Sequence, residues 1–175
     1  MSSAPAPSVV ARIRRLPRDR PLLTLGIAVL VVELVGASGA VFTAQGLAGW
    51  YGTLERPALA PPNWVFGPVW TTLFALIGVA AWLVWRRADE SPRKVRLAAI
   101  AFVAQFALNL AWSAAFFGLQ RIGVALVVIV LLWLLIAATI STFARVDRRA
   151  GALLVPYLLW VSFAAYLNYG FWTLN

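Results

Sequence analysis

The chain has 175 residues, of which 62% are hydrophobic and only 12% charged, with a mean hydropathy of +0.85 and a formal net charge of +9. A soluble domain carries about 45–50% apolar and roughly 25% charged residues, so too little charge is present to cover a water-facing surface. Cysteine and histidine are both absent, which excludes disulfides, structural zinc and Cys/His catalytic devices and leaves only Met1 or a tyrosine as axial ligand for a haem iron.

Residues 1–20 hold Pro, Ser, Ala and five arginines and read as a basic disordered tail. Pro21 opens the first apolar run, 22–44; further runs cover 65–85, 95–117, 123–143 and 153–172. Each is about 20 residues or slightly longer, enough to cross a hydrocarbon core of about 30 Å. In lipid only helices and closed barrels satisfy their backbone, and long runs without alternation favour helices. The fold class is therefore all-α: an integral membrane bundle of five transmembrane helices, with 21–175 as its single domain. Arginines, an apolar stretch and Ala37-Ser38-Gly39-Ala40 resemble a cleaved leader, but the first run is long for one and is read as a retained span. Glu33 lies near its middle, where a charge costs roughly 2.5–3.5 kcal/mol; protonation, or pairing with Gln105 or Asn109, would relieve that cost. The longest connection, 45–62, contains Pro57, Pro61 and Pro62 and is the one long enough to form a lid.

Thirteen of the fifteen basic residues fall in the tail, in 86–96 and in 145–149; Arg56 and Arg121 alone lie on the opposite side. This is membrane topology rather than a nucleic-acid face, and the positive-inside rule puts the N-terminus in the cytoplasm and the C-terminus outside. Trp50, Tyr51 and Trp64 at one end of the second span, and Trp82 and Trp85 at the other, fit interfacial belts, as do Phe171 and Trp172.

Inside the membrane, Gln105, Asn109 and Trp112 share one face of the third span, with Ala107, Ala111 and Ala115 on roughly the opposite face. The alanine row permits close approach of another helix or subunit. Gln105 and Asn109 read equally well as interhelical glue, worth about 0.6 kcal/mol per bond, or as a ligand contact. Tyr157, Trp160, Ala164, Leu167 and Asn168 share a face of the fifth span, and Phe66, Trp70 and Phe74 a face of the second, where Pro68 is placed to bend the helix. These faces read either as an aromatic pocket or as ordinary bundle packing.

The run from Trp50 to Trp85, WYGTLERPALAPPNWVFGPVWTTLFALIGVAAWLVW, resembles the signature of the TspO/MBR family, the tryptophan-rich sensory proteins related to the mitochondrial translocator protein (peripheral-type benzodiazepine receptor). QFALNLAWSAAFF (105–117) and PYLLWVSFAAYLNYGFWTLN (156–175) agree with it. The resemblance implies a five-helix bundle, usually homodimeric, in a bacterial or archaeal cell membrane. It also implies a pocket for porphyrins such as protoporphyrin IX or haem, without an obligatory cofactor or metal. At the matching positions Trp50 and Tyr51 would edge the pocket, Phe66, Pro68 and Trp70 would line it, Asn109 would offer a polar contact, and Trp160, Ala164 and Leu167 would complete it. A porphyrin is a planar π-system suited to stacking on such rings, and Arg56 at the loop end would suit its propionates.

The sequence departs from animal members in two places. No Lys or Arg follows Leu167 and Tyr169, as the sterol-recognition pattern requires, and Val124 stands in place of a pocket tryptophan. Three functions compete: a tetrapyrrole-binding sensor or regulator; a light-dependent porphyrin-degrading enzyme with Trp70 and Trp160 as the reactive side chains; and a transporter of porphyrin or sterol-like lipids. No acid–base pair or activated nucleophile supports ordinary catalysis, and one intramembrane acid without a polar stripe does not make a pore.

Overall fold

The structure, a computed structural model, describes residues 8–47 and 49–175, with the side chains of Gln45 and Leu47 left aside. The elements are α1 (Val9–Asp19), α2 (Pro21–Leu47), α3 (Phe66–Trp85), α4 (Pro92–Ser113), α5 (Ile122–Ala144), α6 (Arg148–Leu153) and α7 (Val155–Leu174). Short 3₁₀ turns cover Trp50–Thr53 and Asn63–Val65, and a π turn, Ala114–Gly118, extends α4. Five stretches are long and apolar enough to cross a membrane, built on α2, α3, α4, α5 and the α6–α7 pair. The all-α membrane bundle expected from the sequence is the fold observed.

The tail differs from its expectation. Residues 1–7 lie outside the described residues, but Val9–Asp19 is helical rather than disordered. Ser8 caps it by accepting the Ala11 N–H, and Val9, Val10, Ile13 and Leu16 fall on one face with Arg12, Arg14, Arg15 and Arg18 on the other. Composition alone hid this periodicity. Arg20 then leaves helical geometry, and Pro21, with no N–H to donate, starts a new helix at the position that tolerates it best.

A proline and a capping aspartate set two further starts. Pro92 opens α4 three residues before the apolar run suggested. The fifth span begins at Arg148 rather than 153, because Asp147 caps α6 by accepting the Arg149 N–H at 2.9 Å. It is broken at Leu154, since Pro156 cannot bond back to Ala152.

The spans form a ring in the order α2, α3, α7, α5, α4, with α4 returning to α2. Buried positions alternate by four and three, as in knobs-into-holes packing: Ala125, Ile129, Leu132, Ile136, Thr139 and Phe143 on α5, and Tyr157, Val161, Ala164, Asn168 and Phe171 on α7. α2 and α3 meet at Gly78, where a Cβ would stand 2.6 Å from the Val29 backbone. Hydrogen bonds supplement this packing. Ser113 donates to the Gly39 carbonyl at 2.9 Å, and the Trp82 indole donates to Thr24 at 3.1 Å.

The two ends of the bundle differ. At one end α1, the α3–α4 connection and the α5–α6 connection come together through Arg18, Glu90, Arg87 and Asp147. At the other, the segment 49–62 is tied across the C-terminus. The Glu55 N–H donates to Asn175 Oδ1 at 3.0 Å, and Asn175 Nδ2 donates back to the Glu55 carbonyl at 3.2 Å. Thirteen of the fifteen basic residues therefore share one end, and Arg56 and Arg121 lie at the other.

Candidate ligand-binding site

Below the 49–62 segment the interior is aromatic. Tyr51, placed by the Trp50–Thr53 turn, is buried against Phe171, Phe117 and Phe116, with ring centroids 5.2, 5.8 and 6.4 Å away. It is therefore a core residue and not part of the interfacial belt. Trp50 lies edge-on to Phe116 at 5.7 Å. The Arg56 guanidinium sits over the outer side of Tyr51 at 5.3 Å and donates to Asn63 Oδ1 at 2.7 Å, bracing the segment as a closed cap. Gly170 allows the cap to seat, because a Cβ there would meet Pro57 at 2.7 Å.

The π turn accounts for this layer. Three successive residues, Ala115, Phe116 and Phe117, are buried, which a regular α-helix with one inward stripe does not permit. The extra residue in the turn rotates Phe117 inward beside Phe116, and the rings meet at 4.9 Å. The Leu119 N–H closes the turn on the Ala114 carbonyl at 2.7 Å.

Deeper in the bundle, Trp70 stacks on Phe74 at 5.2 Å and meets Tyr157 edge-on at 6.2 Å. Trp160 meets Phe66 at 5.9 Å. Asn109 Nδ2 donates to the Tyr157 hydroxyl at 3.0 Å, which donates in turn to Gln105 Oε1 at 3.0 Å. This relay joins α4 to α7. A second relay runs parallel: the Trp112 indole donates to Asn168 Oδ1, and Asn168 Nδ2 donates to the Ile122 carbonyl, both at 3.0 Å. Gln105 and Asn109 thus act as glue. Neither pairs with Glu33, which is half-buried on α2 and has no hydrogen-bond partner among the described residues.

Eight of the nine residues expected at the site fall in these two adjoining layers. Trp50, Tyr51, Phe66 and Leu167 belong to the layer under the cap; Trp70, Asn109, Trp160 and Ala164 belong to the deeper one. Trp112 touches both layers. Pro68 is the exception, exposed on the outside of α3. It stands two residues from both Phe66 and Trp70, roughly 200° round the helix from each. It sits third in α3, where N–H groups have no intrahelical acceptor, so the expected bend has no cause there. Sequence reasoning left out Tyr157, Trp112, Phe116, Phe117 and Phe171 as site residues, although Tyr157 and Trp112 already stood on the polar faces.

Among the described residues two buried side-chain nitrogens have no partner: Gln105 Nε2 and the Trp160 indole Nε1. Gln105 is held by Tyr157, and Trp160 lies one turn along α7 from it. Among the described residues no cluster of His, Cys, Asp or Glu suits a metal ion.

The model of the TspO/MBR family matches residues 28–173. The chain is 40% identical over 98 residues to the tryptophan-rich protein TspO of Archaeoglobus fulgidus, covering 56% of this chain and 62% of that protein. It is 43% identical over 105 residues to the TspO of Chlorobaculum tepidum, covering 58% and 63%. It is 41% identical over 69 residues to the human translocator protein, covering 39% and 41%. In each case the chain spans less than two thirds of the relative's length. With a family match across four of its five spans and most of the first, on a bundle of five membrane-length helices, the chain belongs to the TspO/MBR family of integral membrane proteins.

Proposed function

We propose that the protein binds a planar tetrapyrrole, a porphyrin such as protoporphyrin IX or haem, between α3, α4 and α7 beneath the 49–62 cap, and acts as a sensor or regulator of it. The observation that carries the reading is the pair of unpartnered donors, Gln105 Nε2 and Trp160 Nε1, in an otherwise aromatic interior. A buried donor without an acceptor costs about 1–3 kcal/mol, and a ligand that brings acceptors into this layer recovers that cost. The faces of Trp70, Phe66 and Trp160 supply stacking, worth about 0.5–1.5 kcal/mol per pair. Because Phe66 packs on Trp160, and Trp70 on Phe74 and Tyr157, the ligand must part them, and the Asn175–Glu55 clasp is the element that would yield to admit it. With no histidine or cysteine in the chain, recognition rests on shape, stacking and hydrogen bonding.

The reading extends to the assembly and its orientation. The arginine-rich end faces the cytoplasm under the positive-inside rule. A second copy packs on the α4 face where Ala107 and Ala111 are exposed.

The test is a dark titration of purified protein with protoporphyrin IX, followed by Soret shift and tryptophan quenching. Trp160→Phe keeps an aromatic ring and loses the indole N–H, so affinity should fall about 5- to 160-fold, from the about 1–3 kcal/mol that the ligand would otherwise recover. Absence of saturable binding by folded wild type would leave the fold standing and remove the tetrapyrrole assignment.

A further inference from the structure

The arginine-rich end carries a cavity of about 250 Å³ lined by Arg18, Leu83, Arg86, Arg87, Glu90, Asp147 and Arg149. We infer that this cavity binds the phosphate of an anionic phospholipid from the adjoining leaflet. The inference is independent of the tetrapyrrole reading.

Four guanidinium groups reach the cavity from three separate segments: α1, the end of α3 and α6. Two carboxylates accompany them, leaving a positive excess of two. The carboxylates are already occupied. Glu90 accepts from Arg18 and from Arg87, the latter at 2.8 Å, and Asp147 caps α6. Arg86 and Arg149 are uncommitted: the side chain of Arg149 has no hydrogen-bond partner among the described residues, and Arg86 only covers the Trp82 ring at 4.6 Å. Guanidinium donors in a planar fork match phosphate oxygens.

Position selects a lipid over a soluble anion. The cavity lies at the end of the membrane-length stretch built on α3, one turn beyond Trp82, and Leu83 supplies its apolar wall. Beside it, α1 runs directly into the first span with Val9, Val10, Ile13 and Leu16 exposed on one face and arginines on the other. A short basic amphipathic helix adjoining a transmembrane segment lies in the interface and is drawn to anionic headgroups. At about 250 Å³ the cavity falls below the roughly 300–1,000 Å³ of drug-sized ligand pockets, which suits a single headgroup phosphate.

The experiment uses delipidated full-length protein in neutral detergent, titrated with dioleoyl phosphatidylglycerol and, separately, dioleoyl phosphatidylcholine, with bound lipid counted by native mass spectrometry. One saturable phosphatidylglycerol per chain is expected, with phosphatidylcholine bound more weakly. Arg86→Gln/Arg149→Gln should weaken phosphatidylglycerol about tenfold or more, while Arg121→Gln, at the opposite end, leaves it unchanged. If the double variant loses helical circular dichroism, Arg149→Lys carries the test: weaker binding supports the site, and wild-type affinity overturns it. Equal binding by wild type and a folded double variant also overturns it. Glycerol 1-phosphate and inorganic phosphate compete in parallel; displacement of the lipid by either at equal concentration would reassign the cavity to soluble phosphates and overturn the lipid assignment.

Discussion

Removing the Tyr157 hydroxyl tests whether the polar relay holds α4 to α7. Tyr157→Phe keeps the ring and its edge contact with Trp70 at 6.2 Å, and deletes both 3.0 Å hydrogen bonds, from Asn109 and to Gln105. Interhelical hydrogen bonds in membranes average about 0.6 kcal/mol and reach about 1.7. Two of them give about 1.2–3.4 kcal/mol, with the upper part of the range favoured because Gln105 and Asn109 are 1% and 5% exposed and have no water to turn to. The assay is equilibrium unfolding in mixed micelles of rising SDS fraction, followed by circular dichroism. The same substitution in a Gln105→Leu/Asn109→Leu background should be neutral or stabilising, since the buried hydroxyl it removes has there lost both its partners. An equal cost in both backgrounds would refute the relay, because the hydroxyl would then act through something other than these two amides.

Asn175→Ala should speed hydrogen exchange at the Glu55 amide about 2- to 13-fold, from loss of one bond worth about 0.5–1.5 kcal/mol, as its acceptor disappears. Gly78→Leu should destabilise the bundle by about 1–3 kcal/mol in the same SDS assay, since its Cβ meets backbone of α2 rather than a side chain that can swing aside. Ala107→Leu/Ala111→Leu should shift a dimer to monomer in sedimentation if the second copy packs on that face of α4. The hydrogen bond from Arg87, followed by the charges of Arg87 and Arg18, holds the Glu90 carboxyl below its ordinary range. The pairing of Glu90 with Arg87 and Arg18 therefore contributes fully above the unfolded carboxylate value of about 4.3 and is lost as pH falls through the lower folded value. A spin-label distance between α1 and the α3–α4 connection should stay constant from neutral pH to about 5 and lengthen only in stronger acid.

What was legible in the sequence follows from how strongly each signal is imposed by lipid. Apolar length had to appear in every span, and it located all five. Pro21 and Pro92 fixed starts that hydropathy alone placed one and three residues late, and the Asp147 cap fixed one placed five late. Polar faces survive in an apolar sequence because nothing else explains them, and Gln105, Asn109 and Asn168 are all buried as their spacing required. The signals that failed are those the composition masks. The α1 periodicity was hidden under an arginine count. The π turn depends on how Ala114–Gly118 closes, and no residue in AAFFG demands it. Pro68 came from the resemblance alone, against the helical spacing that sets it opposite Phe66 and Trp70.

The polar interior also limits what can bind. Among the tryptophans, Trp82, Trp112 and Trp133 spend their indole N–H on Thr24, Asn168 and Ser162. Asn109, Tyr157 and Asn168 are joined in relays that span helices. Among the described residues the buried side-chain nitrogens that remain, on Gln105 and Trp160, are both donors. A ligand for this layer therefore needs a broad apolar face to replace ring–ring contacts and at least one acceptor to meet those donors; one that brings only donors leaves both nitrogens unsatisfied at about 1–3 kcal/mol each. A porphyrin satisfies both conditions through its π face and its propionate or ring-nitrogen acceptors. A purely hydrocarbon plane of equal size satisfies only the first. Comparing protoporphyrin IX with an acceptor-free polycyclic hydrocarbon on wild type and Trp160→Phe separates the two contributions. The substitution should weaken the porphyrin and leave the hydrocarbon unchanged, and equal weakening of both would mean that the indole N–H contributes nothing to recognition.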